Sequence, residues 1–305
     1  MRAHISALLL FSLAIPAHAA DIAMEDQSQI RLGAAEPASR KYFQPPQESD
    51  LPDNAFGKLV QEGRAIFVDT RNRAPEYVGN GLSCANCHLE QGRKANSAPL
   101  WGAYTMYPAY RKKNAKVNTY AERLQGCFQF SMNGKAPEAD GPVIAALSAY
   151  SYWLATGAPT GQELPGRAYP EVPNPEGGYD LAKGQQVYAA QCAVCHGKNG
   201  EGQKSGADYV FPPLWGADSF NWGAGMHRIN TAAAFIKESM PLGKGGSLSD
   251  EEAWHVAAFM NSHERPQDPR MIDGSVEKTR DKYHANDGVN LYGKTVNGQV
   301  LGKGL

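Results

Sequence analysis

The strongest constraint on this chain is a five-residue pattern that occurs twice, as Cys84-Ala85-Asn86-Cys87-His88 and as Cys192-Ala193-Val194-Cys195-His196. Two cysteines separated by two residues, with a histidine directly after the second, form the attachment signature of c-type haem. The cysteines make thioethers to the macrocycle and the histidine is the proximal iron ligand. The expected cofactors are therefore two covalently bound haem c groups. A four-cysteine zinc site has no use for a histidine after each pair. A thioredoxin-like redox pair needs a strand–helix–strand context, and neither flank is strand-rich.

The first twenty residues read as an export signal. Arg2 supplies the positive start, Ile5 to Ile15 the apolar run, and Ala17-His18-Ala19 a small-residue site, so cleavage is expected near Ala19 or Ala20. The run is too short to cross a bilayer and no later stretch approaches membrane length, so no membrane span is expected. Export of a chain with two haem motifs points to a bacterial periplasm or its equivalent. The formal net charge of −1 gives no reason to expect a nucleic-acid partner. Haem attachment uses four of the five cysteines and leaves Cys127 alone. An unpaired thiol in an oxidising compartment is unusual.

The chain repeats one plan. Pro99-Leu100-Trp101-Gly102-Ala103 follows the first motif, and Pro213-Leu214-Trp215-Gly216-Ala217 follows the second. Internal repetition of this kind means one structural unit used twice. Gly184-Gln185-Gln186-Val187-Tyr188 opens a helical pattern leading to Cys192, and Gly63-Arg64-Ala65-Ile66-Phe67 plays that part in the first unit, with an insertion around Asp69 to Gly81. Each unit closes with a helix. Pro142 to Thr156 carries apolar residues at helical spacing, with Asp140 expected as N-cap and Gly157 as stop. Ser249 to Ser262 is its counterpart, capped by Ser249. Between them, ten of the twenty-two residues from Gly157 to Gly178 are Gly or Pro, which marks a linker rather than a packed element. The expected organisation is a signal at 1–20, an N-terminal extension at 21–52, a first haem domain at 53–157, a linker at 158–178, a second haem domain at 179–265 and a tail at 266–305. Helix, haem motif, loop, distal ligand and closing helix come in the order of the class I cytochrome c fold. The fold class is thus mainly α, two tandem cytochrome c-like domains joined by a Gly/Pro-rich linker.

A six-coordinate haem needs a second axial ligand, and the repeat predicts its place. In the second unit Met240-Pro241 lies 27 residues after Pro213, and a thioether ligand raises the potential. Met226, Met260, His227, His255 and Lys237 are the alternatives. The same interval in the first unit ends at Gly126, one residue before Cys127. The unpaired thiol is therefore the candidate ligand there, with Met106 and Met132 as alternatives. A thiolate stabilises ferric iron, lowers the potential of the first haem below that of the second, and gives a nucleophile towards sulfur. Arg93, Lys94, Arg111, Lys112, Lys113, Lys116 and Arg123 surround this unit's site in sequence, opposed by Glu90 and Glu122. Such a cluster attracts a small anion, although a docking face for an acidic redox partner has the same composition.

With these residues the chain resembles the thiosulfate dehydrogenases, periplasmic dihaem enzymes that form tetrathionate. The resemblance runs through both haem units. It rests on Cys84 to His88, Gly92-Arg93-Lys94, Ala98-Pro99, Tyr110-Arg111, and above all on Arg123 to Gly134 with its Cys127 and Ser131-Met132-Asn133-Gly134-Lys135. It implies that two thiosulfate dianions join through a sulfur–sulfur bond and release two electrons. These pass from a His88/Cys127 haem to a His196/Met240 haem, and then to an acceptor such as another cytochrome c. It implies that Cys127 is the catalytic ligand, able to leave the iron and hold a thiosulfate sulfur covalently, with Arg123, Ser131, Lys135 and Arg111 binding the anion. Some members carry a Lys immediately before the distal Met of the second haem. Here that position is Ser239, which favours constant His/Met ligation. A dihaem carrier without its own substrate explains the haems but not Cys127. A Sox-type cytochrome that attaches thiosulfate to a carrier protein is a third possibility.

Overall fold

The computed structural model describes residues 41–111 and 116–305. The expected signal segment, residues 21–40 of the extension, and Lys112 and Lys113 lie outside the described residues.

Two pairs of crossed helices build the molecule. In the first pair, α1 (Ala55–Val68) starts at Asn54, whose side chain accepts a hydrogen bond from the Gly57 amide and satisfies one of the unpaired donors of the first turn. It buries Val60, Gly63, Ile66 and Phe67 against α3 (Pro142–Leu154), while α2 (Tyr120–Gly126) lies between them in sequence. In the second pair, α4 (Leu181–Val187) crosses α6 (Asp250–Asn261), and α5 (Ile229–Ser239) packs on α6. The expected Ser249 cap is present with a reciprocal Glu252 contact, a full capping box. The expected Asp140 cap is not. The N-cap of α3 is Gly141, with Pro142 following it. Proline at the first helical position lacks the amide a cap would satisfy and presets φ, so the helix starts without a side-chain cap. The helix also ends at Leu154, two residues early, before Gly157 turns the chain at φ 87°.

A repeated glycine sets both crossings. A Cβ on Gly63 would lie 2.0 Å from the Ala146 carbonyl oxygen, and one on Gly184 would lie 2.1 Å from that of His255. Backbone therefore meets backbone where α1 passes α3 and where α4 passes α6. Each crossing seats a tryptophan-rich core: Trp101 and Trp153 in the first unit, Trp215, Trp222 and Trp254 in the second. Strand content among the described residues is three short antiparallel ribbons: β1 (Ala109–Arg111) with β2 (Lys116–Asn118), β3 (Gln203–Ser205) with β4 (Asp208–Phe211), and β5 (Thr295–Val296) with β6 (Gln299–Val300). The fold is mainly α, as expected.

The Gly/Pro-rich stretch departs from the linker reading. It is irregular but packed. Arg167 covers Gly102, Trp254 Nε1 donates to the Val172 carbonyl at 3.3 Å, and Leu164 and Val172 join the core. Proline and glycine forbid regular hydrogen-bonded elements; they do not forbid burial. The tail also wraps the body, burying Thr279, His284, Leu291, Tyr292 and Leu301. The described residues fall in one compact unit.

Candidate functional site

In the second unit, α4 runs into a π-helical turn (Tyr188–Cys192) and then a short helical turn (Ala193–His196), so that Cys192 and Cys195 line an apolar cavity. His196 and Met240 line the same cavity, with Met226 and Met260. His196 Nδ1 lies 2.9 Å from the Pro212 carbonyl. A carbonyl only accepts, so Nδ1 carries the proton and Nε2 keeps a lone pair for a metal. Two thiols, an oriented imidazole and a thioether on one apolar cavity fit a haem c. Of the alternatives to Met240, Lys237 is committed elsewhere: it donates to the Leu248 carbonyl at 2.6 Å and pairs with Asp250 at 3.0 Å. His227 contacts the tail, and His255 accepts from the Asp180 amide at 3.0 Å.

The first unit repeats the proximal geometry. His88 Nδ1 lies 2.6 Å from the Ala98 carbonyl. Burial pushes the His88 pKa down to about 4, which keeps the ring neutral as a ligand must be. Ala98 and Pro212 are the residues directly before the two Pro-Leu-Trp-Gly-Ala repeats. The carbonyl just before each pentapeptide thus orients the histidine of each motif. At Ala98 this costs an unfavourable backbone, φ 48° at a non-glycine residue.

In the first unit, α2 begins at a Thr119–Glu122 capping box and passes into a second π-helical turn, Cys127–Ser131. Such turns occur often at functional positions because they re-aim a side chain within a helix. Arg123 Nη1 donates to Cys127 Sγ at 2.8 Å. The charge on Cys127 is the leading cause that raises the Arg123 pKa. Burial is the main reason that Cys84, Cys87, Tyr120 and Tyr169 titrate high, and the Cys127 charge adds to each. Cys127, Arg123 and the first haem motif therefore share one electrostatic neighbourhood. Met132, an alternative ligand, is 4% exposed in the core beneath this turn.

The other predicted anion-binding residues are less closely gathered. Arg111 sits on β1, where its Nη1 donates to the Tyr107 hydroxyl at 2.6 Å, and Tyr107 packs edge-on against Tyr120. Ser131 closes the π turn, with its carbonyl accepting from Asn80 Nδ2 at 2.8 Å, and Lys135 is exposed. The basic cluster is smaller than the sequence suggests. Arg93 donates to the Pro46 carbonyl and lies over the Trp153 ring, and Lys116 pairs with Glu122 at 2.6 Å.

Two family models divide the chain as the repeat does. The SoxA/TsdA cytochrome c domain matches residues 75–160, and the cbb3-type cytochrome C oxidase subunit III matches residues 180–260. Thiosulfate dehydrogenase of Stutzerimonas stutzeri (strain A1501) is 76% identical over 298 residues, covering 98% of this chain and 97% of that protein. Thiosulfate dehydrogenase of Thiomonas intermedia (strain K12) is 56% identical over 260 residues, 85% of this chain and 82% of that one. A solved structure of thiosulfate dehydrogenase (TsdBA) from Marichromatium purpuratum, in its as-isolated form, superposes with a TM-score of 0.83 at 48% identity. It covers 88% of this chain, which in turn spans 60% of that one. The chain belongs to the thiosulfate dehydrogenase family.

In this thiosulfate dehydrogenase family member, sequence reasoning missed the residues that join the two sites. Tyr169, in the Gly/Pro-rich strap, donates to the Cys87 carbonyl at 3.1 Å and packs edge-on against Phe235, a wall of the second cavity. Ser97 and Ser239 are 0% and 1% exposed and hydrogen bond to each other at 3.0 Å. They stand next to Ala98 and Met240, so one bond ties the proximal loop of the first haem to the candidate distal ligand of the second. Leu82, Ala85, Asn86 and Cys87 of the first unit also line the second cavity. Only the position of Ser97 and Ser239, each beside a marked residue, signalled them in the sequence.

Proposed function

We infer that this chain is a dihaem c-type cytochrome enzyme that oxidises thiosulfate. Two S₂O₃²⁻ ions form one sulfur–sulfur bond, giving S₄O₆²⁻ and two electrons. The observation that carries the reading is the 2.8 Å contact from the Arg123 guanidinium to Cys127 Sγ, in the electrostatic neighbourhood of the first haem motif. When attached, the haems supply one-electron redox chemistry, and two of them match the two-electron balance.

The residues then divide the work. Cys127 and His88 would hold the iron of the first haem, and Cys127 would be the reactive sulfur of the catalytic site. Arg123 holds negative charge on that sulfur, and the same guanidinium meets the charge of an arriving dianion. Arg111, Ser131 and Lys135 extend the anion site. His196 and Met240 would hold the second haem, which would supply the one-electron chemistry towards an external acceptor of cytochrome c type. The compartment is the periplasm, because residues 1–20 read as an export signal ahead of two haem motifs. A carrier with no substrate would have no use for an arginine-bound cysteine sulfur at this place.

The test is Cys127→Gly in the purified holoprotein. Both haems should remain attached, since Cys84, Cys87, Cys192 and Cys195 are untouched. Thiosulfate-dependent reduction of an artificial acceptor should fall at least about 1,000-fold, the scale for loss of a group that acts on the reacting atoms. Turnover within tenfold of the parent would overturn the assignment of Cys127.

A further inference from the structure

A second cluster of metal-ligating side chains lies outside the haem sites, where the tail meets the second unit. Its members are His227, His284 and Asp287, whose ligand atoms lie within 4.8 Å of one another. His227 closes a short turn (Gly225–His227). His284 ends a π-helical turn (Arg280–His284), the third such turn among the described residues, and the first two carry Cys127 and Cys192. Both histidines are buried, at 0% and 1% exposure. The Trp222 ring packs against His227, and Tyr292 stacks on His284.

The hydrogen-bond partners fix both tautomers. His227 Nδ1 lies 2.6 Å from the Ala224 carbonyl, which only accepts, so Nδ1 carries a proton. His284 Nε2 lies 2.9 Å from Asp268 Oδ2. Asp268 is held ionised by Arg270, which reaches it through the backbone amide, Nε and Nη2. Nε2 of His284 is therefore also protonated. That leaves His227 Nε2 and His284 Nδ1 as lone pairs pointing at each other, 3.1 Å apart. Asp287 Oδ2 stands 3.7 Å from His227 Nε2, buried and without a hydrogen-bond partner among the described residues. The three ligand atoms converge on one point, and Arg228 Nη1 holds the other carboxylate oxygen of Asp287 at 3.3 Å, which leaves Oδ2 turned towards the two rings.

We propose that His227 Nε2, His284 Nδ1 and Asp287 Oδ2 bind a divalent d-block cation of the Zn²⁺ type. Imidazole and carboxylate donors suit this class, with metal–ligand distances of about 2.0–2.2 Å. Tetrahedral ligands at that distance stand about 3.3 Å apart, which the 3.1 Å and 3.7 Å separations bracket. The surroundings are those of a built site: a carboxylate on the outer N–H of one histidine, a carbonyl on that of the other. The ion joins the tail to the turn that carries Met226, a wall of the second haem cavity. Its role is to pin that wall.

The experiment measures metal in the two-haem holoprotein after incubation with Zn²⁺ and exhaustive dialysis. The expected result is one zinc per two irons, with a melting temperature that falls on chelation and recovers on zinc addition. Asp287→Asn preserves shape and should lower zinc affinity roughly tenfold or more. His284→Gln should abolish retention, with the haem absorption spectrum unchanged in both variants. Zinc at background level in the parent protein would overturn the proposal and leave a proton bridging the two rings. Equal zinc in the parent and Asp287→Asn proteins would overturn it as well, because the ion would then lie elsewhere.

Discussion

At the scale of single residues, the first site depends on a helical interval. Arg123 and Cys127 are four positions apart, so they share one face of the helix that runs from α2 into the π turn. The guanidinium and the sulfur were legible as neighbours for that reason. The carbonyls of Ala98 and Pro212 were not, because a backbone group carries no letter in the sequence. A charged hydrogen bond of this kind contributes about 1.5–3 kcal/mol. Arg123→Gln, which keeps a donor and removes the charge, should lower kcat/KM for thiosulfate by about 10- to 100-fold. Steady-state kinetics with the haem spectrum as a folding control will measure this, and an unchanged kcat/KM would remove Arg123 from the anion site.

At the scale of elements, the two units share one helix crossing. The notable letters of the flanking repeat, Gly63 and Gly184, are the points where backbones touch. A methyl group at either place must displace a carbonyl oxygen on the facing helix. Gly63→Ala and Gly184→Ala should each destabilise by roughly 1–3 kcal/mol through overpacking, seen as a lower melting temperature. Gly177→Ala in the strap meets nothing within 4 Å and serves as the control. Equal melting of all three variants would contradict the crossing geometry. The insertion after α1 was legible as extra length but not as a purpose. It buttresses the Cys127 turn, with the Gly79 amide donating to the Met132 carbonyl at 2.9 Å and Asn80 Nδ2 reaching the Ser131 carbonyl.

At the scale of the whole molecule, the two haem units interlock. Asn80 Nδ2 also donates to the Ser219 carbonyl at 3.1 Å, and Asn221 Nδ2 donates to the Gln129 carbonyl at 2.9 Å. The second unit thus grips the turn that presents Cys127. The Ser97–Ser239 hydrogen bond links the loops that carry Ala98 and Met240, and both serines are buried. A double-mutant cycle of Ser97→Ala and Ser239→Ala should give a coupling energy of about 0.5–1.5 kcal/mol by chemical denaturation. Additive single effects would show that the bond does not hold the units together.

The sequence by itself determined what is local or repeated. Haem attachment lies within five residues, the helix periods within a dozen, and the repeat gives a ruler that sets Cys127 against Met240. Each of these depends on spacing along the chain, which the letters record. The tertiary structure alone decided what joins segments far apart: the strap with Tyr169 between the two sites, the Ser97–Ser239 bond, and the tail that brings His284 and Asp287 to His227. Residues fifty or more positions apart meet only because packing brings them together, and no local pattern encodes where a Gly/Pro-rich segment comes to rest.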